Sequence, residues 1–188
     1  VAGIDYGTVN SFACTIVGIN TGVANQIGIC RWAEKEYVWD SHKTGRQKTN
    51  SEYADDVQAF LEPYSLKGVY VDPSAAAFKL ELRKRGIHVI DANNDVVEGI
   101  NFTTSEMKKG NLYVCEDCPN LIREIESYVW DSKSADKGED APLKKNDHSV
   151  DSLRYCINTH KISTYDYQAH NKRQQEWMQN KYQVTRNF

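Results

Sequence analysis

Residues 51–92 alternate helix and buried strand, and this alternation narrows the possible folds more than any other feature of the chain. Ser51 reads as the N-cap of a helix that carries Tyr53, Val57, Phe60 and Leu61 on one face, with Pro63 as its stop. The run from Gly68 through Val69, Tyr70, Val71 and Asp72 to Pro73 is almost continuously apolar, the pattern of a strand covered on both faces. Ser74 reads as the cap of a second helix, Ala75 to Arg85, closed by Gly86. Ile87 to Ala92 is a further buried strand. Strands joined through helices in this order require right-handed crossovers and parallel pairing.

The flanking segments read differently. Ala2 to Ile19 holds two β-rich runs joined at Gly7–Asn10, with Phe12, Cys14 and Ile16 alternating with smaller residues. Gln26 to Trp32 and Glu36 to Ser41 are two more strand candidates, which makes the start an antiparallel meander. The polar, basic stretch His42–Thr49 is expected to be a loop or a hairpin tip. Beyond residue 92, helices are expected over Val96–Lys109, Asn120–Trp130 and Asp147–His160, with a short strand over Asn111–Cys115. Asp131–Asn146 has no periodicity and is expected to be a long, mobile loop. The sum is an α/β fold: a mixed sheet, antiparallel at its N-terminal side and parallel elsewhere, flanked by helices. One domain is expected over residues 1–162, followed by a polar tail with scattered aromatics over 163–188.

Charge and cysteine content exclude several classes. Lys plus Arg is 23 against 26 Asp plus Glu, a net charge of −3, so nucleic acid could be gripped only through local basic patches. The two best patches are His42–Lys48, with Lys43, Arg46 and Lys48, and the pair Lys144-Lys145. Five scattered cysteines are not a secreted disulfide framework and fit a reducing compartment; the Cys115–Cys118 pair has no matching partner pair and reads as structural thiols. No apolar run is long enough for a membrane-spanning helix. The chain opens at Val1 inside a strand, without an initiator Met or a leader, and is expected to be a domain cut from something longer.

Three acids stand out by position. Asp5 ends the first strand, Asp72 ends the buried strand before Pro73, and Asp151 lies in the last strong helix. In open α/β sheets ligands gather at the carboxyl ends of strands, so Asp5 and Asp72 share one crevice if their strands are neighbours. Asp147 and His148 flank Asp151 at helical spacing. Carboxylates brought together repel unless a cation lies between them, and oxygen-rich clusters suit Mg²⁺ or Mn²⁺. The structural alternative is that Asp72 makes a turn and Asp147 caps the helix it begins.

These residues resemble a known family. Gly3–Gly7, then Val69–Ser74, then Lys144–Tyr155 with its Asp147-His148-x-x-Asp151-x-Leu153-Arg154-Tyr155 core, resemble the nuclease domain of tailed-bacteriophage terminase large subunits. Gly110–Val114, Leu121–Ile125 and Tyr128–Trp130 are similar to that family's middle section, and the resemblance covers roughly residues 2–160. It implies an RNase H-like fold and a metal-dependent endonuclease that cuts concatemeric viral DNA during packaging in the host bacterial cytoplasm. By motif matching, Asp5, Asp72 and Asp151 hold the metals, with His148 as a further ligand or proton-transfer group and Asp147 as an additional candidate. The chemistry implied is two-metal hydrolysis, with Mg²⁺ or Mn²⁺ activating water and steadying the leaving oxygen. The partners implied are double-stranded DNA, the terminase small subunit, the portal protein and the subunit's own ATPase domain. No Gly-x-x-x-x-Gly-Lys-Ser/Thr loop occurs, so the ATPase motor is not expected within these residues.

Three rivals share part of the pattern. Gly3–Ser11 is similar to the first phosphate loop of actin and heat-shock-chaperone ATPases, but the second glycine-rich loop of that superfamily is missing. A non-catalytic DNA-binding or assembly module would tolerate loss of an acid, and all three acids are present. Junction resolvases and integrases use the same metals on other substrates.

Overall fold

The meander consists of β1 (Ala2–Asp5), β2 (Phe12–Asn20) and β3 (Cys30–Trp39), each antiparallel to the next. The computed structural model describes residues 1–20, 30–131 and 141–161. The 163–188 tail, the centre of the Asp131–Asn146 loop and residues 26–29 of an expected strand lie outside these described residues. β3 runs unbroken where two strands, Gln26–Trp32 and Glu36–Ser41, are expected from the sequence. The polar run from Glu34 to Glu36 looks like a break, but the ladder passes from Ile16↔Lys35 to Val17↔Ala33 and leaves Glu34 as the extra residue of a bulge.

The alternating segment folds into α2 (Asn50–Leu61), β4 (Val69–Val71), α3 (Ala76–Lys84) and β5 (Val89–Asp91), after a one-turn helix α1 (Ser41–Thr44). α4 (Val96–Lys108), β6 (Leu112–Val114), α5 (Pro119–Ser127) and α6 (His148–Thr159) follow. The sheet order is β5-β4-β1-β2-β3-β6, with β1/β4, β4/β5 and β3/β6 parallel. The expected mixed sheet is therefore present, and β1 and β4 are neighbours.

Several helix ends differ from expectation for local reasons. Thr49, not Ser51, caps α2, because Thr49 and Glu52 satisfy each other's backbone amides reciprocally. The Ser51 hydroxyl instead accepts from Arg85 at 2.8 Å. Ser74 does not cap α3; its own N–H donates to Asp72 Oδ1 at 2.7 Å, and the helix starts two residues later. The 42–49 stretch is not all loop, since Asp40 accepts from the amides of His42 and Lys43 and starts α1. α5 stops at Ser127, short of the expected Trp130.

The period-two alternation of strands divides the core between two faces. Ile4, Phe12, Cys14, Val69 and Val71 meet Tyr53, Val57, Phe78 and Leu82 of α2 and α3. Val17, Ala33, Tyr70 and Leu112 meet Leu121 of α5 and Leu153, Cys156 and Ile157 of α6. Gly3 is on this second face, directly under α6. A Cβ at Gly3 would lie 2.0 Å from the Ser152 carbonyl oxygen, so only glycine permits the helix to approach this closely.

Gly3→Ala should therefore destabilise the chain by about 3 kcal/mol in denaturant unfolding, at the upper end of the usual cost of overpacking a core. The same change at Gly45, where a Cβ meets nothing within 4 Å but φ is +65°, should cost only about 1 kcal/mol. Equal losses at the two positions would mean that α6 is not held against β1 by this contact.

Candidate active site

The register Gly3↔Tyr70, Ile4↔Val71 brings the ends of β1 and β4 side by side, so Asp5 and Asp72 leave the sheet at one edge. Asp5 shares the parity of Gly3 and lies beneath the start of α6. There His148 Nδ1 donates to Asp5 Oδ2 at 2.8 Å. A cleft of about 610 Å³ opens over this point, lined by Asp5, Asp147, His148, Asp151 and Tyr155 among others.

Asp151 and Asp147 stand one turn apart on α6. Asp151 Oδ1 accepts from Arg154 Nε at 3.1 Å and Nη2 at 2.9 Å, and Lys144 Nζ lies 3.6 Å from Oδ2. Arg154 is itself anchored by Nη1 donating to the carbonyls of Asn94 and Asp95 at 3.2 and 3.1 Å. Asp147 does not cap α6 with its side chain, contrary to the structural alternative; its Oδ2 is buried without a hydrogen bond, with Lys144 Nζ 3.5 Å away. Asp72 does make the turn expected of it. It does not line the cleft as Asp5 does, and touches it only through the cleft residue Tyr155, whose OH donates to its Oδ2 at 3.0 Å.

The electrostatics follow from burial and from the mutual repulsion of these groups. Burial pushes the Asp5 carboxyl above the usual range; the hydrogen bond from His148 opposes the shift and the charge of Asp151 adds to it. His148 is raised, first through its hydrogen bond to Asp5. Burial also pushes Asp72 up, but the hydrogen bonds from Ser74 and Tyr155 outweigh it and hold the carboxyl below the ordinary range. The Tyr155 phenol is pushed well up by burial and by the surrounding charges of Asp5, Asp151 and Asp72.

As the side chains stand, no group of three or more His, Cys, Asp or Glu among the described residues is arranged to hold a metal ion. Each acid already has a partner: Asp5 has His148, Asp151 has Arg154, and Asp72 has Tyr155 and Ser74.

Three contributors have no role assigned from the sequence. Arg154 and Tyr155 stand in the motif core one turn beyond Asp151, a spacing that points to them once Asp151 is suspected. Glu124 gives no such signal. Its Oε2 accepts from the amides of Ser149 and Val150 at 2.7 and 3.0 Å, so a side chain of α5 does the capping that Asp147 does not. Burial pushes the Glu124 carboxyl up to about 7, against the opposing pull of those two amides.

The basic residues divide. Lys43 is exposed beside Asp40 at 3.3 Å, Arg46 is exposed and pairs with Glu52, and Lys144 and Lys145 line the cleft. Lys48 is not on open surface: its Nζ lies 3.6 Å from the centroid of the Trp39 ring and pairs with Asp56, leaving 10% of the side chain exposed. Cys118 is buried at the start of α5 with its Sγ directed to the Ala33 carbonyl at 3.6 Å, as expected of a structural thiol. No helix among the described residues is long and apolar enough to cross a membrane.

Comparison with known proteins gives one consistent result. A model of the terminase RNaseH-like domain family matches residues 28–160. The large terminase of a thermophilic bacteriophage is similar at 41% identity and a TM-score of 0.78, over 85% of this chain and 39% of that one. The terminase large subunit of Escherichia phage T5 is 24% identical over 152 residues, 76% of this chain and 34% of its own. The chain thus spans little more than a third of these relatives. The large terminase nuclease domain of bacteriophage SPP1, solved with bound Mn, shares the fold at 17% identity and a TM-score of 0.57, over 82% of each chain. The expected RNase H-like architecture is the one found.

An acid whose pKa is higher in the folded chain stabilises the fold fully below its unfolded value and loses that contribution as pH rises through its folded value. For Glu124 this window runs from its ordinary value of 4.5 to about 7. Wild-type stability should therefore fall relative to Glu124→Gln across that window, and the difference should be flat above it. The fall should be about 2 kcal/mol, once solvent screening of this incompletely buried group is allowed for. Urea melts at closely spaced pH values measure this, and parallel curves would show that Glu124 is not strained by its burial.

Proposed function

The chain belongs to the terminase RNaseH-like domain family, and on that premise we propose that it is the nuclease module of a phage DNA-packaging subunit, a divalent-metal-dependent endonuclease that cuts double-stranded DNA. The observation that carries this reading is the convergence of Asp5 from β1 with Asp147 and Asp151 at the start of α6 in one cleft, with Asp72 outside its lining but hydrogen-bonded to the cleft residue Tyr155.

The chemistry of the donors, rather than their present arrangement, suits a hard divalent cation. The donor atoms are carboxylate oxygens, one of them, Asp147 Oδ2, buried with no hydrogen bond, and the Asp5 carboxyl is raised in part by its acidic neighbours. Asp5, Asp72 and Asp151 would hold Mg²⁺ or Mn²⁺, with His148 and Asp147 at the edge of the set; two ions suit the number of acids. Once bound, such ions supply an activated water and charge stabilisation at the phosphodiester. The Mn bound to the SPP1 domain supports the use of a divalent metal.

The chain's own groups have separable tasks. Arg154 fixes the Asp151 carboxylate by a forked contact, and Tyr155 fixes that of Asp72. His148, with Nδ1 engaged by Asp5, would have its other ring nitrogen for a ligand or a proton. Lys43, Arg46, Lys144 and Lys145 would meet phosphates, positioning the duplex without reading its sequence. The motor domain, the small subunit and the portal protein would be its partners in the host cytoplasm.

Incubation of supercoiled plasmid with Mn²⁺, Mg²⁺ or EDTA tests the activity. Cutting should require the metal, and Asp5→Asn, Asp72→Asn and Asp151→Asn should each reduce it at least about a hundredfold while circular dichroism stays unchanged. Full activity in any one of them would remove that residue from the site.

The basic residues make a second, quantitative expectation. Replacing Lys43, Arg46 and Lys145 together by Ala should flatten the log–log salt dependence of DNA binding by about two to three units, near 0.9 per phosphate contact. Lys48→Ala should leave the slope unchanged and lower the melting temperature instead, because its ammonium is spent on Trp39 and Asp56.

A further inference from the structure

Lys144 faces the two acids of α6 from the turn that precedes the helix. Its Nζ lies 3.5 Å from Asp147 Oδ2 and 3.6 Å from Asp151 Oδ2. These are the oxygens left over by the rest of the structure, since Arg154 takes Oδ1 of Asp151 and nothing donates to Asp147 Oδ2. Both carboxylates are about nine-tenths buried, with 10% of each side chain exposed, whereas the Lys144 side chain is 63% exposed. Asn146, at φ 50°, and the Lys145 amide donating to the Leu143 carbonyl at 2.9 Å form the turn that points Lys144 inward. Lys145 has no ion pair among the described residues.

We propose that Lys144 is a tethered counter-cation, seated over the acid pair until a divalent ion displaces it. The inference rests on the metal reading above and adds a competition between the metal and a side chain of this same chain. Two neighbouring carboxylates need a positive charge when no metal is bound. An ammonium on a flexible four-carbon stem supplies one without fixed geometry, and both contacts are longer than a good hydrogen bond. With its ammonium exposed to solvent and both contacts long, this pairing is weak enough to yield to a doubly charged ion. Arg154 is the contrast: 3% exposed, forked onto Asp151 and anchored to two carbonyls, it cannot leave. One cation therefore fixes the acid, and the other holds its place for the metal.

Titration calorimetry with Mn²⁺ separates the possibilities, using the unaltered chain, Lys144→Gln, Lys145→Gln and Asp151→Asn. Lys144→Gln should bind Mn²⁺ about three- to fivefold more tightly than the unaltered chain, the upper part of the range expected for releasing an ion pair whose cation is exposed. Lys145→Gln makes the same change of net charge one residue away and should shift the affinity less than twofold. Without metal, Lys144→Gln should also melt at a lower temperature than the unaltered chain, and saturating Mn²⁺ should remove the gap. Equal affinities in Lys144→Gln and Lys145→Gln would overturn the inference while leaving the metal reading intact. Absence of Mn²⁺ binding in the unaltered chain, or binding unaffected by Asp151→Asn, would overturn the metal reading and this inference with it.

Discussion

Helix α6 lies across β1 only because Gly3 has no side chain to meet the Ser152 carbonyl, and the other features of the cleft depend on that approach. Nine of the twelve residues of α6 are buried, polar ones included. Thr15 and Ser152 share a hydrogen bond at the contact, and Cys156 Sγ points to the Thr15 carbonyl at 3.8 Å. On its other side α6 is covered by α4, where Gly99 again leaves room: a Cβ there would meet Arg154 Cγ at 2.7 Å. The helix is thus gripped on two sides by backbone, and its His148, Asp151 and Arg154 inherit positions fixed by the core. Close packing of this kind transmits any shift, so precision at the cleft is set several residues away from it.

Charge placement continues the same logic from the other end of the helix. The first amides of α6 go to Glu124 of α5, and the first amides of α5 go in turn to Glu36 of β3, at 2.5 and 3.1 Å. A carboxylate at a helix N-terminus meets the positive end of the dipole and the unpaired N–H groups together. Here both carboxylates come from a different element, so each cap also docks one helix on the next. The result is a chain of contacts from strand to helix to helix that ends beside Asp5. It leaves Asp147, in the capping position itself, with its carboxylate turned to the cleft.

What the sequence made legible was local or periodic. The alternation over residues 51–92 and the apolar run at Val69–Val71 specify parallel strands, and Asp5 and Asp72 could be placed at strand ends because strand ends are where apolar runs stop. The Asp147–Asp151 spacing gives the helix face directly. Features that depend on distant partners were hidden: Glu124 meets α6 across 25 residues, Arg31 pairs in the interior with Glu106 across 75, and Lys48 is drawn under Trp39 by Asp56. A basic run looks the same in sequence whether its charges face water or an aromatic ring. The bulge at Glu34 misled for the opposite reason, since an extra polar residue mimics a loop unless the partner strand is known.

The sorting of cations bears on how a chain of net charge −3 would hold a polyanion. Arg31, Lys48, Lys79 and Arg154 are spent inside the fold against Glu106, Asp56, Asp91 and Asp151. A smaller cavity of about 270 Å³ adjoins the acidic cleft, sharing Ser11, Asp40, Asn146 and His148 with it, and Lys43 and Arg123 lie along its wall. Lys144 and Lys145 stand on the cleft itself. Acids thus occupy the floor and cations the rim. At physiological salt, charges more than about 8 Å apart in solvent are largely screened from one another. A phosphate approaching the rim therefore responds to the charges within that distance, cations of the rim first, and not to the summed charge of the whole chain. On the proposed reading, local sorting of sign, and not overall basicity, is what lets this acidic domain engage DNA.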